Sequence, residues 1–210
     1  SDRDGNYDLY IMNPDGTDQR NLTNFPASEN RPGSNTGPVP SPDGRQIAFQ
    51  SNRDGNDEIY MLDLKTGAQS NLTNHPASDH SPTWSPDGSS IAFLSDRTSI
   101  LLDEVRGLWT NDIYIMEADG SDPRRLTADN QTNGYGGLAW SPDGGSIALC
   151  LSSFTAYGGY FPLGIHLLDL DDLILTRLTF DSATIQCDPK WSPDGNQILY
   201  VVSGSRFSNL

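Results

Sequence analysis

The sequence is poor in cysteine, in histidine and in positive charge. Two cysteines, Cys150 and Cys187, stand in 210 residues. That is too few for the disulfide framework that staples small secreted domains. Cys150 ends an apolar run and reads as buried packing, while Cys187 reads as more exposed. They fall in adjacent repeats of the kind set out below, so a bridge between them stays open as the alternative. Histidine is confined to His75, His80 and His166. The proximity of His75 and His80 is a thin basis for a histidine-built metal centre. Lys and Arg number 13 against 28 Asp and Glu, a formal net charge of −15. An acidic surface of that size repels duplex DNA and anionic membranes. No apolar run approaches the roughly 20 residues of a membrane-spanning helix. The chain also lacks a Gly-x-Ser-x-Gly elbow, a His-Glu-x-x-His pair and a phosphate-binding loop. The reading is therefore that the chain is not itself an enzyme and holds no catalytic residue; a peptidase would need its catalytic domain elsewhere.

What is present is repetition. Ser-Pro-Asp-Gly occurs at residues 41–44, 85–88, 141–144 and 192–195. Leu-Thr recurs at 22–23, 72–73, 126–127 and 178–179. A Tyr-centred run appears as Leu9-Tyr10-Ile11-Met12, Ile59-Tyr60-Met61-Leu62 and Ile113-Tyr114-Ile115-Met116, with Ile165-His166-Leu167-Leu168 as its fourth copy. Each Ser-Pro-Asp-Gly is followed by another apolar run, Ile47-Ala48-Phe49, Ile91-Ala92-Phe93, Ile147-Ala148-Leu149 and Ile198-Leu199-Tyr200. Trp84, Trp140 and Trp191 precede three of the four phrases; Pro40 precedes the first. Four marks in one fixed order define a repeat array, whose units bury a core only by stacking on one another.

The apolar runs are short, rich in Ile, Phe and Tyr, and bounded by turn residues, which is the pattern of strands. In Ser-Pro-Asp-Gly, Pro presets φ and Gly takes the positive-φ position that closes a three-residue hairpin loop. Asn13-Pro14-Asp15-Gly16 and Glu117-Ala118-Asp119-Gly120 read as the same device. Each repeat is thus expected to hold four antiparallel strands: A into Ser-Pro-Asp-Gly, B after it, C at the Tyr run and D into Leu-Thr. The fold class is all-β, a β-propeller of four-stranded antiparallel blades. Residues 1–24 are read as an outer C–D hairpin, 38–73, 82–127 and 138–179 as full blades, and 189–203 as an inner A–B hairpin. The three tryptophans are expected between blades.

The order Trp-Ser-Pro-Asp-Gly, Ile-Ala-Phe, Ser-Asp-Arg, Asp-Ile-Tyr-Ile-Met, Arg-Arg-Leu-Thr resembles the TolB-type, WD40-like β-propeller repeat over nearly the whole chain. The departures are Pro40 in place of Trp, His166 in place of Tyr, and Asp171-Asp172-Leu173 in place of the usual turn. The resemblance implies a non-catalytic scaffold, and it favours a periplasmic or extracellular setting. TolB-like rings usually have more than four blades. The chain starts and stops at the same point of the repeat, so the expectation is a segment of a larger ring, or a homodimer that closes an eight-bladed one.

In a blade of this order the B–C and D–A connections share one end. Two B–C connections, between Arg97 and Asp112 and between Ser152 and Ile165, carry more aromatic and apolar residues than a surface loop needs. With the D–A segment 132–137 they place Trp109, Tyr135, Phe154, Tyr157, Tyr160 and Phe161 as candidate partner-binding residues, because loops on rigid scaffolds carry binding. Capping of the channel mouth is the competing account. A second candidate is calcium, with Asp2, Asp4, Asn6 and Asp8 alternating in one B–C loop and Asn52, Asp54, Asn56 and Glu58 in the next. Its counter-reading is a plain hairpin turn, with Arg3 facing Asp8 and Arg53 facing Glu58. Glycosylation sequons at Asn21, Asn71 and Asn130 are also present; the first two coincide with the repeat's own Leu-Thr mark, which makes their recurrence structural. The leading functional reading is a scaffold that binds a protein or peptide on its B–C/D–A face. The alternative is a substrate-gating propeller attached to a hydrolase or lyase domain.

Overall fold

The computed structural model describes residues 8–24, 35–98, 101–103, 108–109, 111–127, 133–154, 160–180 and 184–204. The chain divides into two compact units, residues 1–82 and 83–210. In the first, β1 (Tyr10–Ile11) and β2 (Arg20–Asn21) pair as a hairpin. Next, β3 (Asn35–Pro40), β4 (Gln46–Ser51), β5 (Glu58–Asp63) and β6 (Gln69–Asn71) form a four-stranded antiparallel meander. The division falls inside β7 (Asp79–Trp84), which edges a sheet completed by β8 (Ser90–Ser95), then, beyond the small hairpin of β9 (Leu101–Asp103) and β10 (Leu108–Trp109), by β11 (Asp112–Glu117) and β12 (Arg124–Arg125). A third four-stranded sheet holds β13 (Asn133–Trp140), β14 (Ser146–Phe154), β15 (Tyr160–Asp169) and β16 (Leu175–Arg177). The hairpin of β17 (Thr184–Trp191) and β18 (Ile198–Gly204) follows. The described residues contain no helix.

The A–B turn is a side-chain device as much as a backbone one. Gly44 N–H donates to the Ser41 carbonyl at 2.9 Å, which removes that carbonyl from the ladder. The Ser41 hydroxyl oxygen replaces it and accepts the Gln46 N–H at 3.0 Å. Its own hydrogen goes to Asp43 Oδ1 at 2.7 Å, and Asp43 Oδ1 also accepts the Arg45 N–H. The same set recurs at Ser85–Ser90, Ser141–Ser146 and Ser192–Gln197. The expected three-residue loop is therefore corrected to four residues, Pro42 to Arg45, because the extra acceptor is a side chain. The C–D turns at Asn13 and Glu117 do close over three, with Gly16 and Gly120 at positive φ. The Ser hydroxyls, and after them the following backbone amides, hold the four turn carboxyls below the usual range, those of Asp87 and Asp194 at about 2.

Strand A is bulged. Register shifts interrupt β3 between Thr36 and Val39, β13 between Gly136 and Ala139, and β17 between Cys187 and Lys190. A left-handed residue sits at the same place in each A strand: Gly37, Ser81, Gly137 and Asp188, with φ from 56° to 58°. In three of the four, Pro follows. A bulge of this kind bends the strand and consumes one residue without pairing it.

Burial follows from the period of two. In the first unit Leu9, Ile47, Phe49, Tyr60 and Leu62 cluster, with Leu22 and Leu64 against them. In the second, Ala92, Leu94, Ile113, Ile115 and Leu126 of one sheet meet Leu138, Ile147, Leu149, Leu151 and Leu168 of the next. Ala92 and Leu94 thus face the following sheet, and Ile147, Leu149 and Leu151 the preceding one. Trp84 is buried, whereas Trp140 and Trp191 are only partly so. Each of the latter lines an open recess, of about 460 and 600 Å³. Their indole N–H groups still reach the preceding repeat: Trp140 Nε1 donates to the Thr83 carbonyl at 3.3 Å and Trp191 Nε1 to the Ala139 carbonyl at 3.1 Å. Cys150 and Cys187 form a disulfide with a Cα–Cα separation of 5.0 Å. The reading of two unpaired thiols is corrected. The β13 bulge leaves Gly136 without a side chain beside Cys150, 3.2 Å from Sγ to its ideal Cβ site, so β17 approaches closely enough to bridge.

Candidate binding face

The B–C/D–A end of the first three repeats is closed by one recurring latch. Asp8, Glu58 and Asp112, at the entrance of strand C, are buried carboxyls. Each accepts the hydroxyl of the Leu-Thr threonine: Thr23 to Asp8 Oδ1 at 2.5 Å, Thr127 to Asp112 Oδ1 at 2.8 Å, and Thr73 to Glu58 in the same way. The threonine oxygen in turn accepts the next backbone N–H of strand C, from Leu9, Ile59 and Ile113. The second carboxylate oxygen takes a donor from strand D, Asn21 Nδ2 at 3.0 Å on Asp8 and Arg125 Nη2 at 2.8 Å on Asp112. In the fourth repeat Gly164 replaces the acid. Thr179 still caps Ile165 N–H at 2.9 Å, and the buried His166 places Nδ1 3.1 Å from the Gly164 carbonyl. Burial pushes the His166 imidazole pKa down, and Arg177 adds to the effect against the raising influence of the Gly164 hydrogen bond.

A cation sits above each regular blade at this end. The Arg53 guanidinium lies 5.6 Å from the Phe49 ring centroid and 4.4 Å from that of Tyr60. Arg97 stands the same way over Phe93 and Tyr114. Each aromatic pair is a cross-strand B–C pair with centroids 5.8 Å apart, the geometry of a cation–π cap. Tyr60 donates to Asp54 Oδ2. Burial, then this hydrogen bond, raises the Tyr60 phenol pKa.

The calcium set falls within this framework. Asp8 and Glu58 are the latch acids. Asn56 Nδ2 donates to Glu58 Oε1 and to the carbonyls of His75 and Ala77, each at 2.9 Å. Asp54 Oδ2 accepts Tyr60 and Asn71 Nδ2. Among the described residues no group of three or more His, Cys, Asp or Glu is arranged for a metal ion. Asp2, Asp4 and Asn6 lie outside the described residues. His75 Nδ1 accepts the Ala77 N–H at 3.0 Å. Asn21 and Asn71 fold back on Thr23 and Thr73 N–H as turn-forming side chains, which accounts for the recurrence of that sequon.

The aromatic candidates lie where the sheets grow longer. The connection after β8 contains the β9–β10 hairpin, with Trp109 on β10 opposite Leu101. In the third sheet β14 and β15 run to Phe154 and Tyr160, which are register partners, and Phe161 pairs with Ser153. β13 begins at Asn133, so Tyr135 lies on a strand opposite Leu151. Three segments read as loops are thus strand arms wholly or in part. Gly134, Gly136 and Gly137 disguised the β13 segment, since Gly is depleted in strands. Tyr157 lies outside the described residues. Asp8 and Glu58 were read as calcium candidates and Arg53 as a partner of Glu58; the latch with Asp112 and the cap with Arg97 were not singled out, although an acid two places before Tyr and Ser-x-Arg both recur.

Stacked, four-stranded, antiparallel blades closed by a repeated polar latch define a β-propeller scaffold. The TolB β-propeller domain model matches residues 26–153, well over half of the chain, and the chain belongs to that family. TolB from Acinetobacter baumannii superposes with a TM-score of 0.70 at 24% identity, over 95% of this chain and 44% of that one. A putative TolB from Agrobacterium tumefaciens gives 0.68 at 26% identity, over 95% and 66%. The chain is also 39% identical over 71 residues, 34% of its length, to the uncharacterized peptidase YuxL of Bacillus subtilis (strain 168). It spans 9% of that protein and 44% of the Acinetobacter TolB.

Proposed function

We propose that the chain is a non-catalytic scaffold that binds a protein or peptide through the B–C/D–A end of its blades. The observation that carries this reading is the contrast between sheets. In the first four-stranded sheet, β4 and β5 span six residues each and are joined by a tight connection. In the third, β14 and β15 extend to nine and ten residues, and their added tip holds Phe154, Tyr160 and Phe161. A strand arm whose sequence carries aromatic residues supports an interface reading. The latch acids are held by hydroxyl donors of the protein itself, which leaves the arms to serve recognition. The test is selection from a displayed random-peptide library on the immobilised chain, followed by calorimetry with the enriched peptides. Phe154→Ser with Tyr160→Ser should abolish binding and leave the melting temperature within a few degrees. Unchanged affinity in that variant refutes the face.

The likeness to YuxL supports a second reading, a propeller that gates substrate for a peptidase domain carried on the same polypeptide. A hydrolase domain beside these repeats in the full-length gene would favour it over the scaffold.

A further inference from the structure

The four Ser-Pro-Asp-Gly turns are alike in one carboxylate oxygen and unlike in the other. Asp43, Asp87, Asp143 and Asp194 each spend Oδ1 on the turn, accepting the Ser hydroxyl and the backbone N–H two residues on. In the first and fourth turns Oδ2 is served by the side chain at that same place. Arg45 Nε stands 3.7 Å from Asp43 Oδ2, and Asn196 Nδ2 donates to Asp194 Oδ2 at 3.0 Å. In the second and third turns the place is held by Ser89 and Gly145. The Ser89 hydroxyl goes to Asp87 Oδ1, and Gly145 has no side chain. Among the described residues, no hydrogen bond or ion pair reaches Oδ2 of Asp87 or Asp143.

Those two carboxylates border one recess. It encloses about 460 Å³, within the size range of small-ligand clefts. Asp87, Asp143, Pro86, Pro142 and the partly buried Trp140 line it, and no Lys or Arg does. The two turns abut there: a Cβ on Gly144 would stand 3.8 Å from Pro86 Cδ. The Trp140 indole N–H is spent on the Thr83 carbonyl at 3.3 Å, so the indole offers the recess its ring rather than its donor. The Ser hydroxyls, then the backbone amides, hold both carboxyls below the usual range, Asp87 at about 2. Both are therefore ionised at neutral pH. An aromatic ring beside two ionised carboxylates without a countercharge has the makeup that receives a planar cation.

We propose that the Trp140 recess binds an arginine side chain of a protein partner, with the guanidinium lying on the indole and donating to Oδ2 of Asp87 and of Asp143. Arginine suits the recess better than lysine. Its plane stacks on an aromatic face and its fixed N–H directions reach more than one acceptor, whereas an ammonium is a compact, strongly hydrated point charge. The formal net charge of −15 adds attraction for a basic partner at longer range. The recess lies at the A–B turns, and the B–C and D–A connections leave from the other end of the strands. The assignment is therefore independent of the loop-face reading.

The experiment titrates the whole chain with the blocked peptide acetyl-Gly-Arg-Gly-amide and follows the indole N–H resonances by NMR, with Trp140→Phe to identify its signal. The Trp140 signal should move saturably while the other indole signals stay. Asp87→Asn combined with Asp143→Asn keeps both Oδ1 acceptors and should weaken binding about tenfold. Gly145→Arg copies Arg45 and should block the recess from within. Gly145 is not at positive φ, and a Cβ there meets only the Asp143 carboxylate, at 3.6 Å, so the turn accepts the side chain. The citrulline peptide, alike in shape but uncharged, should not bind, and the lysine peptide should bind more weakly. Free L-arginine should also bind more weakly, because its carboxylate meets an acidic rim. Lack of a saturable Trp140 shift overturns the proposal, as does unchanged affinity in both the double variant and Gly145→Arg. Equal affinity for the citrulline or lysine peptide removes the guanidinium from it, and tighter binding of free L-arginine removes the protein partner.

Discussion

Gly137 rests against the backbone of Asp188: a Cβ on Gly137 would stand 3.1 Å from the Asp188 Cα and amide nitrogen and from Pro189 Cδ. Both residues occupy the left-handed position of their bulge, so two A strands meet main chain to main chain. Gly137→Ala should therefore lose the left-handed penalty of about 1–2 kcal/mol and a further amount for the contact. Gly16→Ala, at positive φ with nothing within 4 Å, is the control that loses the first component alone. Urea titration of both variants should place Gly137→Ala clearly lower. Equal losses would mean that the close approach has no energetic weight.

The threonine latch gives a second expectation. Thr127→Val keeps the shape and removes the hydroxyl that joins Asp112 to Ile113 N–H. It leaves a buried donor and a buried carboxylate oxygen short of partners, at a cost of about 1–3 kcal/mol. Thr179→Val in the fourth repeat, where Gly164 provides no acid, should cost less. A double-mutant cycle of Thr127→Val with Asp112→Asn should show coupling of about 0.5–3 kcal/mol, and additivity would remove the latch from the account.

His166 sets a pH window. Its imidazole pKa is depressed by burial in the folded chain from the ordinary 6.5, so the unfolded chain binds the proton more readily. Stability from this group is complete above the unfolded pKa, declines as pH falls through about 6.5, and is fully lost below the folded pKa. His166→Tyr, the residue of the other repeats, should flatten the decline. The difference between the two melting curves from pH 7.5 to 5 measures it, and parallel curves would contradict the assignment.

The Cys150–Cys187 bridge closes a loop with a sequence separation of 37, for which loop entropy gives about 4 kcal/mol. Reductant should lower the melting temperature of the native chain and leave that of the Cys150→Ser, Cys187→Ser variant unmoved. An equal response of the two would mean that the thiols are not joined in solution.

Calcium offers a test of the acidic B–C loops. Asn56 and Glu58 are engaged by protein donors and acceptors, so calcium and magnesium at equal ionic strength should raise the melting temperature alike, through screening of the net charge of −15. A calcium-specific rise reversed by chelator would instead place an ion among Asp2, Asp4, Asn6 and Asp8 or their second copy.

The blade was legible because its punctuation is local. Ser-Pro-Asp-Gly, the Ile-Ala-Phe run and the Tyr run each announce a turn or strand within a few residues, and the period follows. What escaped reading depends on partners far along the chain. Asp8 and Glu58 resembled metal ligands because their neighbours are acidic and amide residues, while the threonines that hold them lie about 15 positions on. Their third copy, Asp112, stands outside any such loop and was the available clue. The bulges were written as a left-handed residue three places before the Trp or Pro mark, with Pro directly after it in three of the four strands. The β13 arm was hidden by glycines that a bulge and a close approach require.

The recurring contacts also sort themselves by reach along the polypeptide. Those of the Ser-Pro-Asp-Gly turn join residues two to five apart, the threonine latch joins residues 14 or 15 apart, and the tryptophan bonds join residues 57 and 52 apart. Short closures form before long ones, because closing a longer loop costs more chain entropy. Assembly therefore has a built-in timetable: hairpin, then blade, then blade on blade, each stage complete before the next stretch of chain is needed. A ribosome delivering the repeats in order would meet no stage that waits for the far end of the molecule, and pulse-labelled amide exchange should record protection in that same order.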